Sequence, residues 1–147
     1  MNELRVKGLD DIVPEMLRAV ALRCDGRYAE ALACYDRIRA INPRFIVCLV
    51  DQALLLAEMG RFENALDSID EFRRHSPAIT EVEDCRATIV DRAIAELSSS
   101  IDRRPSDSRL LTQRAGVHAR CGELNLARAD FERSVASDSF KESLNKY

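Results

Sequence analysis

One segment that recurs at a fixed spacing restricts the fold of this 147-residue chain more than any other feature. The first copy, from Gly26 to Pro43, reads GRYAEALACYDRIRAINP. The second copy, from Gly60 to Pro77, reads GRFENALDSIDEFRRHSP. Each copy starts with a glycine, which commonly closes a helix, and ends with a proline, which terminates one. A fixed period of about 34 residues is typical of stacked helical hairpins, because a single hairpin cannot bury its apolar residues alone.

The spacing of apolar residues predicts two helices in the first unit. The first helix is expected to be capped by Asp10 or Asp11 and to run to about Cys24. The second is expected from about Tyr28 to Asn42, because the residue before a proline is pushed out of helical geometry. Its inward-facing side chains are predicted to be Ala29, Leu32, Tyr35 and either Ile38 or Ala40.

The second unit repeats the pattern, with helices predicted over residues 46–59 and 62–75. After Pro77 the period changes, because Ala93 lies six positions earlier than the spacing of the first two units requires. Thr80 and Glu83 match the S/T-x-x-E capping box, and nothing breaks the helical pattern that follows. We therefore predict one long helix over 80–103, or a short helix fused to a second one. The last helices are expected over 107–121 and 123–137, followed by a polar, frayed end over 139–147.

These units resemble tetratricopeptide repeats at the family's small, glycine, aromatic and proline positions. In the first two units the matching residues are Ala19, Gly26, Tyr28, Ala31, Tyr35 and Pro43, then Ala53, Gly60, Phe62, Ala65, Ile69 and Pro77. In the last unit they are Ala115, Gly122, Leu124, Ala127 and Phe131. Ile69 departs from the family's aromatic residue. The resemblance implies that the glycines lie in turns between helices and that Ala31, Ala65, Ala93 and Ala127 are buried at helix crossings.

The fold implied by this resemblance is all-α, a right-handed solenoid of antiparallel helix hairpins. About seven helices are expected, one of them a long atypical central helix. A single domain is expected over residues 1–147, with units at 12–45, 46–79, 80–107 and 108–141 and a tail at 142–147.

Composition restricts the classes of partner. The 22 basic and 25 acidic residues give a net charge of −3 and are spread along the chain. This balance offers no basic surface for nucleic acid or for an anionic membrane. The longest apolar run, from Ala53 to Ala57, is far shorter than the roughly 20 residues that span a bilayer. We therefore expect neither nucleic acid nor a membrane as a partner.

The five cysteines form an odd set without a C-x-x-C motif, which indicates free thiols in a reducing compartment. The opening sequence MNELRVKGLDD lacks the apolar stretch of a secretory signal. Both features predict a cytoplasmic protein. The cysteines and the two histidines lack the spacing of zinc ligands, so no metal and no other cofactor is expected.

His75 and His118 are the candidates for acid–base chemistry. Neither lies in a nucleophile motif such as G-x-S-x-G, and neighbouring carboxylates such as Asp70 and Glu71 point apart on a helix. The glycines are scattered, so they form no phosphate-binding loop. The sequence therefore predicts that the chain is not an enzyme.

The resemblance implies that the first helix of each unit lines a concave groove for a partner peptide or helix. In the first two units the expected groove residues are Val13, Met16, Val20, Arg23, Val47, Val50, Leu54 and Glu58. In the last unit they are Arg109, Thr112 and Arg120. The alternative is that a neighbouring segment of the same chain covers these positions.

Chaperone-tail adaptors of this family clamp a terminal carboxylate with lysine and asparagine. Those positions hold Met16, Val20, Val50 and Asp51 here, so we expect no carboxylate capture in the first two units. In the last unit, Arg109, Arg114 and Arg120 would form a basic set for an acidic partner.

The function that the resemblance implies is a non-catalytic protein-interaction module or adaptor. Two alternatives stay open at this point. One is a small bacterial secretion or assembly chaperone. The other is a scaffold that forms a homo-oligomer through the groove or the end helix.

Overall fold

The computed structural model describes residues 9–145, and within that range it contains seven α-helices and no strand. The helices are α1 (Leu9–Cys24), α2 (Tyr28–Ile41), α3 (Cys48–Glu58), α4 (Phe62–His75), α5 (Glu81–Arg103), α6 (Ser108–Arg120) and α7 (Leu124–Asn145). Packing pairs α1 with α2, α2 with α3, α3 with α4, and α6 with α7. The all-α prediction is confirmed. The chain divides into two compact units, and the boundary lies between Glu83 and Asp84.

Glycine turns close three helical hairpins. Gly26, Gly60 and Gly122 have φ angles of 74°, 77° and 76°, a region in which a Cβ atom would crowd the backbone. After Gly26, the N–H of Arg27 donates to the carbonyl of Leu22 at 2.9 Å, and the equivalent bond follows the other two glycines. This is the Schellman closure of a helix. The predicted turns are therefore confirmed, and with them the helical hairpins.

The first unit has an apolar core built by α1, α2 and α3. Its buried members are Ile12, Ala19, Leu22, Ala31, Cys34, Tyr35, Ile38, Cys48 and Leu55. Ala65 on α4 is fully buried as well. The expected burial of Ala31 and Ala65 is therefore confirmed. On α2, Tyr35 and Ile38 face inward as predicted, but the prediction for Ala29 is wrong, because that side chain is exposed. The buried positions fall three or four residues apart from Ala31 onward, and Ala29 lies off that face.

The second unit begins within α5, which is one continuous helix of 23 residues, the first of the two predicted alternatives. Its buried stripe consists of Ile89, Ala93, Leu97 and Ile101. From α6, Leu111, Ala115 and Val117 are buried. Ala127 on α7 is only half-buried, so the expected burial at the last crossing is wrong. The buried residues of α7 are polar instead: Asp130 and Ser134.

Three helix boundaries differ from the predictions. Asp10 and Asp11 lie inside the first turn of α1, not at its cap. The start of α3 is at Cys48, two residues later than expected, because residues 43–47 form turns. The prediction of a frayed end from residue 139 is wrong, because α7 continues to Asn145. No glycine or proline interrupts it. The expected single domain and its unit boundaries stay predictions. Across residues 9–145, no helix is long and apolar enough to cross a membrane.

Candidate binding surface

The first helix is apolar on two faces. Ile12, Ala19 and Leu22 fill the core of the first unit. On another face, Val13, Leu17 and Val20 are 51%, 67% and 56% exposed. Their spacing of four and three residues places them in one stripe along the helix. An exposed aliphatic stripe on a helix that already contributes to a core needs a separate explanation.

The third helix and the turn before it carry the equivalent residues of the next repeat. Val47 is 57% exposed, and Val50 and Leu54 are half-buried. Each follows its counterpart on α1, namely Val13, Met16 or Val20, at the spacing that separates the first two turn glycines. We call these six residues the α1–α3 set: Val13, Met16, Val20, Val47, Val50 and Leu54. Both helices belong to the first unit and contribute to the same core. None of the six is fully buried.

An ion pair joins the ends of α1 and α3. The guanidinium of Arg23 donates to the carboxylate of Glu58, with an Nη2–Oε1 distance of 2.5 Å and an Nε–Oε1 distance of 3.2 Å. This hydrogen bond raises the pKa of Arg23. The sequence placed both residues in the groove, and the structure brings them together as partners. Beside the apolar α1–α3 set, the two charges therefore balance each other.

The predicted groove residues of the last helix pair have separate environments. Arg109 is highly exposed, and its backbone N–H donates to the capping carboxylate of Asp107 at 3.1 Å. Thr112 Oγ1 donates to the Ser108 carbonyl at 2.8 Å and lies 3.0 Å from Ser134 Oγ on α7. The carbonyl of Arg120 accepts from the Arg86 guanidinium at 3.0 Å. Of these three predicted residues, Arg109 presents the most exposed side chain to solvent, whereas the Thr112 hydroxyl is engaged in the contact with α7.

Sequence reasoning missed the polar link between α6 and α7. The guanidinium of Arg114 makes two hydrogen bonds of 2.7 Å to the Asp130 carboxylate and one of 3.1 Å to Ser98 Oγ on α5. The side chains of Arg114 and Asp130 are only 19% and 8% exposed. The hydrogen bond to Asp130 raises the pKa of Arg114. Arg114 therefore does not join Arg109 and Arg120 in a basic set for an acidic partner, and that expectation is wrong.

A signal for this pair is present in the sequence. Arg114 and Asp130 each lie eight residues from the turn residue Gly122, on opposite sides of it. In an antiparallel hairpin, residues equidistant from the turn face each other. The same rule finds Glu15 and Arg37, eleven residues either side of the first turn glycine, whose side chains bond at 3.1 Å.

The candidate groups for chemistry, His75 and His118, have different environments. His75 is exposed at the end of α4. His118 is buried on α6, with Nε2 3.9 Å from Asp130 Oδ2. Burial raises the pKa of the Cys34 and Cys48 thiols, which disfavours the nucleophilic thiolate. Within the described part of the chain, no group of three or more His, Cys, Asp or Glu residues could hold a metal ion.

Comparison with known proteins shows a partial likeness to solved helical structures. MamA 41-end from Desulfovibrio magneticus RS-1 is 14% identical, with 89% of this chain and 77% of that chain covered and a TM-score of 0.49. The second tetratricopeptide domain of Spaghetti (RPAP3), bound to an HSP90 peptide, is 20% identical, with 85% and 90% covered and a TM-score of 0.39. No family model and no curated protein matches the chain. Identities and scores this low carry no functional argument, so function has to be argued from the residues of the chain itself.

Proposed function

We propose that this chain is a non-catalytic protein-interaction module that binds an extended or helical segment of a partner along the α1–α3 set. The observation that carries the proposal is the exposure of Val13 and Val20, each more than half exposed on a helix whose other face fills a core, and of Val47 in the turn before α3. Contiguous exposed apolar residues on a soluble protein mark interaction sites. Helices that present such residues receive amphipathic partner helices in many complexes.

The chemistry of the α1–α3 set specifies the partner segment. Valine, leucine and methionine side chains provide dispersion contacts and no fixed hydrogen bond, so the segment should present aliphatic anchors. The nearby Arg23–Glu58 pair is internally neutral, so it adds little long-range attraction. We therefore expect the affinity to change little with salt concentration, unlike that of a charge-clamp adaptor.

The second unit offers a charged contact of its own. Arg109 is highly exposed, with Nε 3.6 Å from Asp107 Oδ1, and would meet an acidic residue of a partner of that unit. Exposed charges at the edge of an interface change the association rate more than the affinity. We therefore propose Arg109 as a determinant of on-rate, with Thr112 and Arg120 as neighbouring positions of lesser effect.

The test is partner capture with two matched double variants of the full chain. Val13→Glu with Val47→Glu charges the α1–α3 set, and Ala29→Glu with Ala40→Glu adds the same charge at exposed positions of α2. We expect the first variant to lose the partners that the unchanged chain captures and the second to retain them. The captured partner's binding segment is then titrated by calorimetry against all three chains. Equal binding by the first variant and the unchanged chain would refute the proposal.

A second candidate is a chaperone that keeps an aggregation-prone partner soluble. The purely aliphatic character of Val13, Leu17 and Val20 favours this reading, because such a stripe suits an apolar segment that would otherwise aggregate. Expression of the captured partner with and without this chain separates the two functions. A chaperone is required for the partner to be soluble, whereas an adaptor binds a partner that is soluble alone.

We infer a cytoplasmic setting and the absence of catalysis. All five cysteines are free, and two of them are buried, as expected in a reducing compartment. His75 is exposed at the end of α4 and His118 is buried on α6, and neither lies in a nucleophile motif. Turnover on any substrate that is lost with His118→Ala would overturn the second inference.

A further inference from the structure

We propose that a second copy of this chain docks on α7 in an antiparallel, two-fold arrangement. The starting observation is that α7 buries polar residues and exposes large apolar ones. Its buried residues are Asp130 and Ser134, whereas Leu124, Phe131 and Val135 are 65%, 57% and 50% exposed. A surface helix of a soluble protein ordinarily buries its apolar stripe. The inward face of α7 is instead occupied by the hydrogen bonds to Arg114 and Thr112 on α6.

Three exposed apolar residues of α7, Leu124, Phe131 and Val135, lie in a seam with the spacing of a coiled coil, whereas Leu126, Phe140 and Leu144 lie on another face. Steps of four and three residues alternate along it, and every member is exposed. We call these residues the α7 seam: Leu124, Arg128, Phe131, Val135, Asp138 and Glu142. Alternation of this kind keeps one stripe of a helix facing a partner helix over several turns. A straight helix is therefore the natural occupant of the seam.

The charges in the seam select a second copy and its direction. Arg128 lies on the N-terminal side of Phe131 and Val135, and Asp138 lies on their C-terminal side. In an antiparallel pair centred between the two apolar residues, Phe131 of each copy faces Val135 of the other. Arg128 of each copy then faces Asp138 of the other. A two-fold contact makes each of these pairings twice.

A parallel pairing would reverse this complementarity. Arg128 would face Arg128, and Asp138 would face Asp138, so both ends of the seam would repel. The proposal is independent of the α1–α3 set, which lies in the other compact unit. If the α1–α3 set bound no partner, the proposed dimer through α7 would still stand. If the chain did not dimerise through α7, the proposed partner binding would still stand.

The experiment measures the concentration-dependent mass of the full chain by sedimentation equilibrium. We expect the unchanged chain to dimerise at micromolar concentration. Phe131→Asp should weaken the dimer about a hundredfold, because the substitution acts twice in a two-fold interface. Arg128→Glu or Asp138→Arg alone should weaken it about tenfold by placing like charges opposite each other.

Combining the two charge reversals separates the two orientations. The Arg128→Glu, Asp138→Arg double variant restores attraction in the antiparallel pairing and leaves repulsion in the parallel one. We therefore expect the double variant to dimerise as tightly as the unchanged chain. Leu144→Asp on another face of α7, at a similarly exposed position, is the matched control and should leave the dimer unaffected. Far-UV circular dichroism checks that each variant keeps its helices.

Several results would overturn the proposal. A chain that is monomeric at ~100 µM has no dimer of micromolar affinity, and α7 then receives a different partner or none. A dimer that survives Phe131→Asp uses another surface. A double charge reversal that remains as weak as the single variants excludes the antiparallel seam.

Discussion

The α1–α2 and α6–α7 hairpins share one plan and differ in the chemistry of their contact. Each pair of helices meets at a glycine of nearly the same φ. In the first hairpin the buried residues are small and apolar, including Ala19 and Ile38, and the Glu15–Arg37 ion pair lies at the more exposed edge. In the last hairpin α6 also buries apolar residues, but the buried residues of α7 are polar and bond to Arg114 and Thr112 of α6. A repeat therefore specifies where the helices and turns lie, but not what holds them together.

The two kinds of contact differ in how they stabilise the hairpin and in which residues they leave exposed. An apolar contact is non-directional and can adjust to small changes of shape. A half-buried ion pair has fixed geometry, and loss of one partner leaves the other charge desolvated. The polar contact also occupies the inward face of α7, so the apolar residues of that helix remain outside. The same choice of chemistry thus determines both how the last hairpin closes and what it exposes.

The largest expected effect comes from the ion pair of the last hairpin. Asp130→Ala should reduce the free energy of unfolding by about 3–5 kcal/mol, because it leaves the half-buried Arg114 guanidinium without its carboxylate. Urea unfolding followed by circular dichroism measures the loss. Glu96→Ala removes one partner of the exposed Arg92–Glu96 pair on α5 and should cost less than ~0.5 kcal/mol. Comparable losses in the two variants would show that Arg114–Asp130 does not close the hairpin.

A double substitution sharpens the same comparison. Replacing Arg114 and Asp130 together by leucine converts the polar contact into an apolar one like that of the first hairpin. Such exchanges are often neutral, so most of the stability lost in Asp130→Ala should return. A double variant as unstable as Asp130→Ala would mean that the site cannot accept apolar side chains.

The next largest effect is a loss of stability at high pH, which is caused by Tyr35 in the first unit. Burial raises the pKa of Tyr35 to about 12, against about 10 for an unperturbed tyrosine. Because the folded pKa is the higher one, the stabilisation is complete below pH ~10 and is lost as the pH rises towards ~12. The loss should amount to roughly 2 kcal/mol. Urea unfolding at pH 9 and pH 11.5 measures it, and Tyr35→Phe should lack this component. An identical loss in Tyr35→Phe would assign the alkaline sensitivity to other groups.

Overpacking provides a third, smaller comparison between the units. Ala65 and Ala127 hold the same position in their repeats, but Ala65 is fully buried and Ala127 only half-buried. Ala65→Leu should destabilise the chain by about 1–3 kcal/mol, because the added atoms have no room. Ala127→Leu should cost clearly less, because part of the larger side chain can lie in solvent. Equal unfolding midpoints for the two variants in urea would contradict this difference in packing.

The elements that were predictable from sequence are those with local signals. The bounds of α2 and α4 follow from a glycine before each helix and a proline after it. The length of α7 was missed because its polar last turns carry no stop signal, and polar composition alone does not end a helix. For the candidate site, the resemblance to tetratricopeptide repeats implied the residues of the α1–α3 set, and the structure finds Val13, Val20 and Val47 exposed. Whether these residues bind a partner stays a prediction.

The polar contacts were not predictable from helical periodicity. Periodicity assigns charged residues to the solvent side by default, which is wrong for Arg114 and Asp130. Their pairing depends on two helices that approach from opposite sides of a turn, and a pattern within one helix contains no information about the other. Likewise, helical periodicity does not predict that α7 buries Asp130 and Ser134 on its inward face.

The smallest expected effect is the stability cost of replacing a turn glycine by alanine, which should be equal in the two units. Gly60 and Gly122 have φ angles of 77° and 76°, and an added Cβ atom would meet nothing within 4 Å at either position. The cost of Gly60→Ala and of Gly122→Ala is therefore purely conformational, about 1 kcal/mol in each case. Urea unfolding of the two variants should give equal losses. If Gly122→Ala costs much more, the turn between α6 and α7 must itself position Arg114 against Asp130. In that case, the polar hairpin would depend on its turn geometry in a way that an apolar hairpin does not.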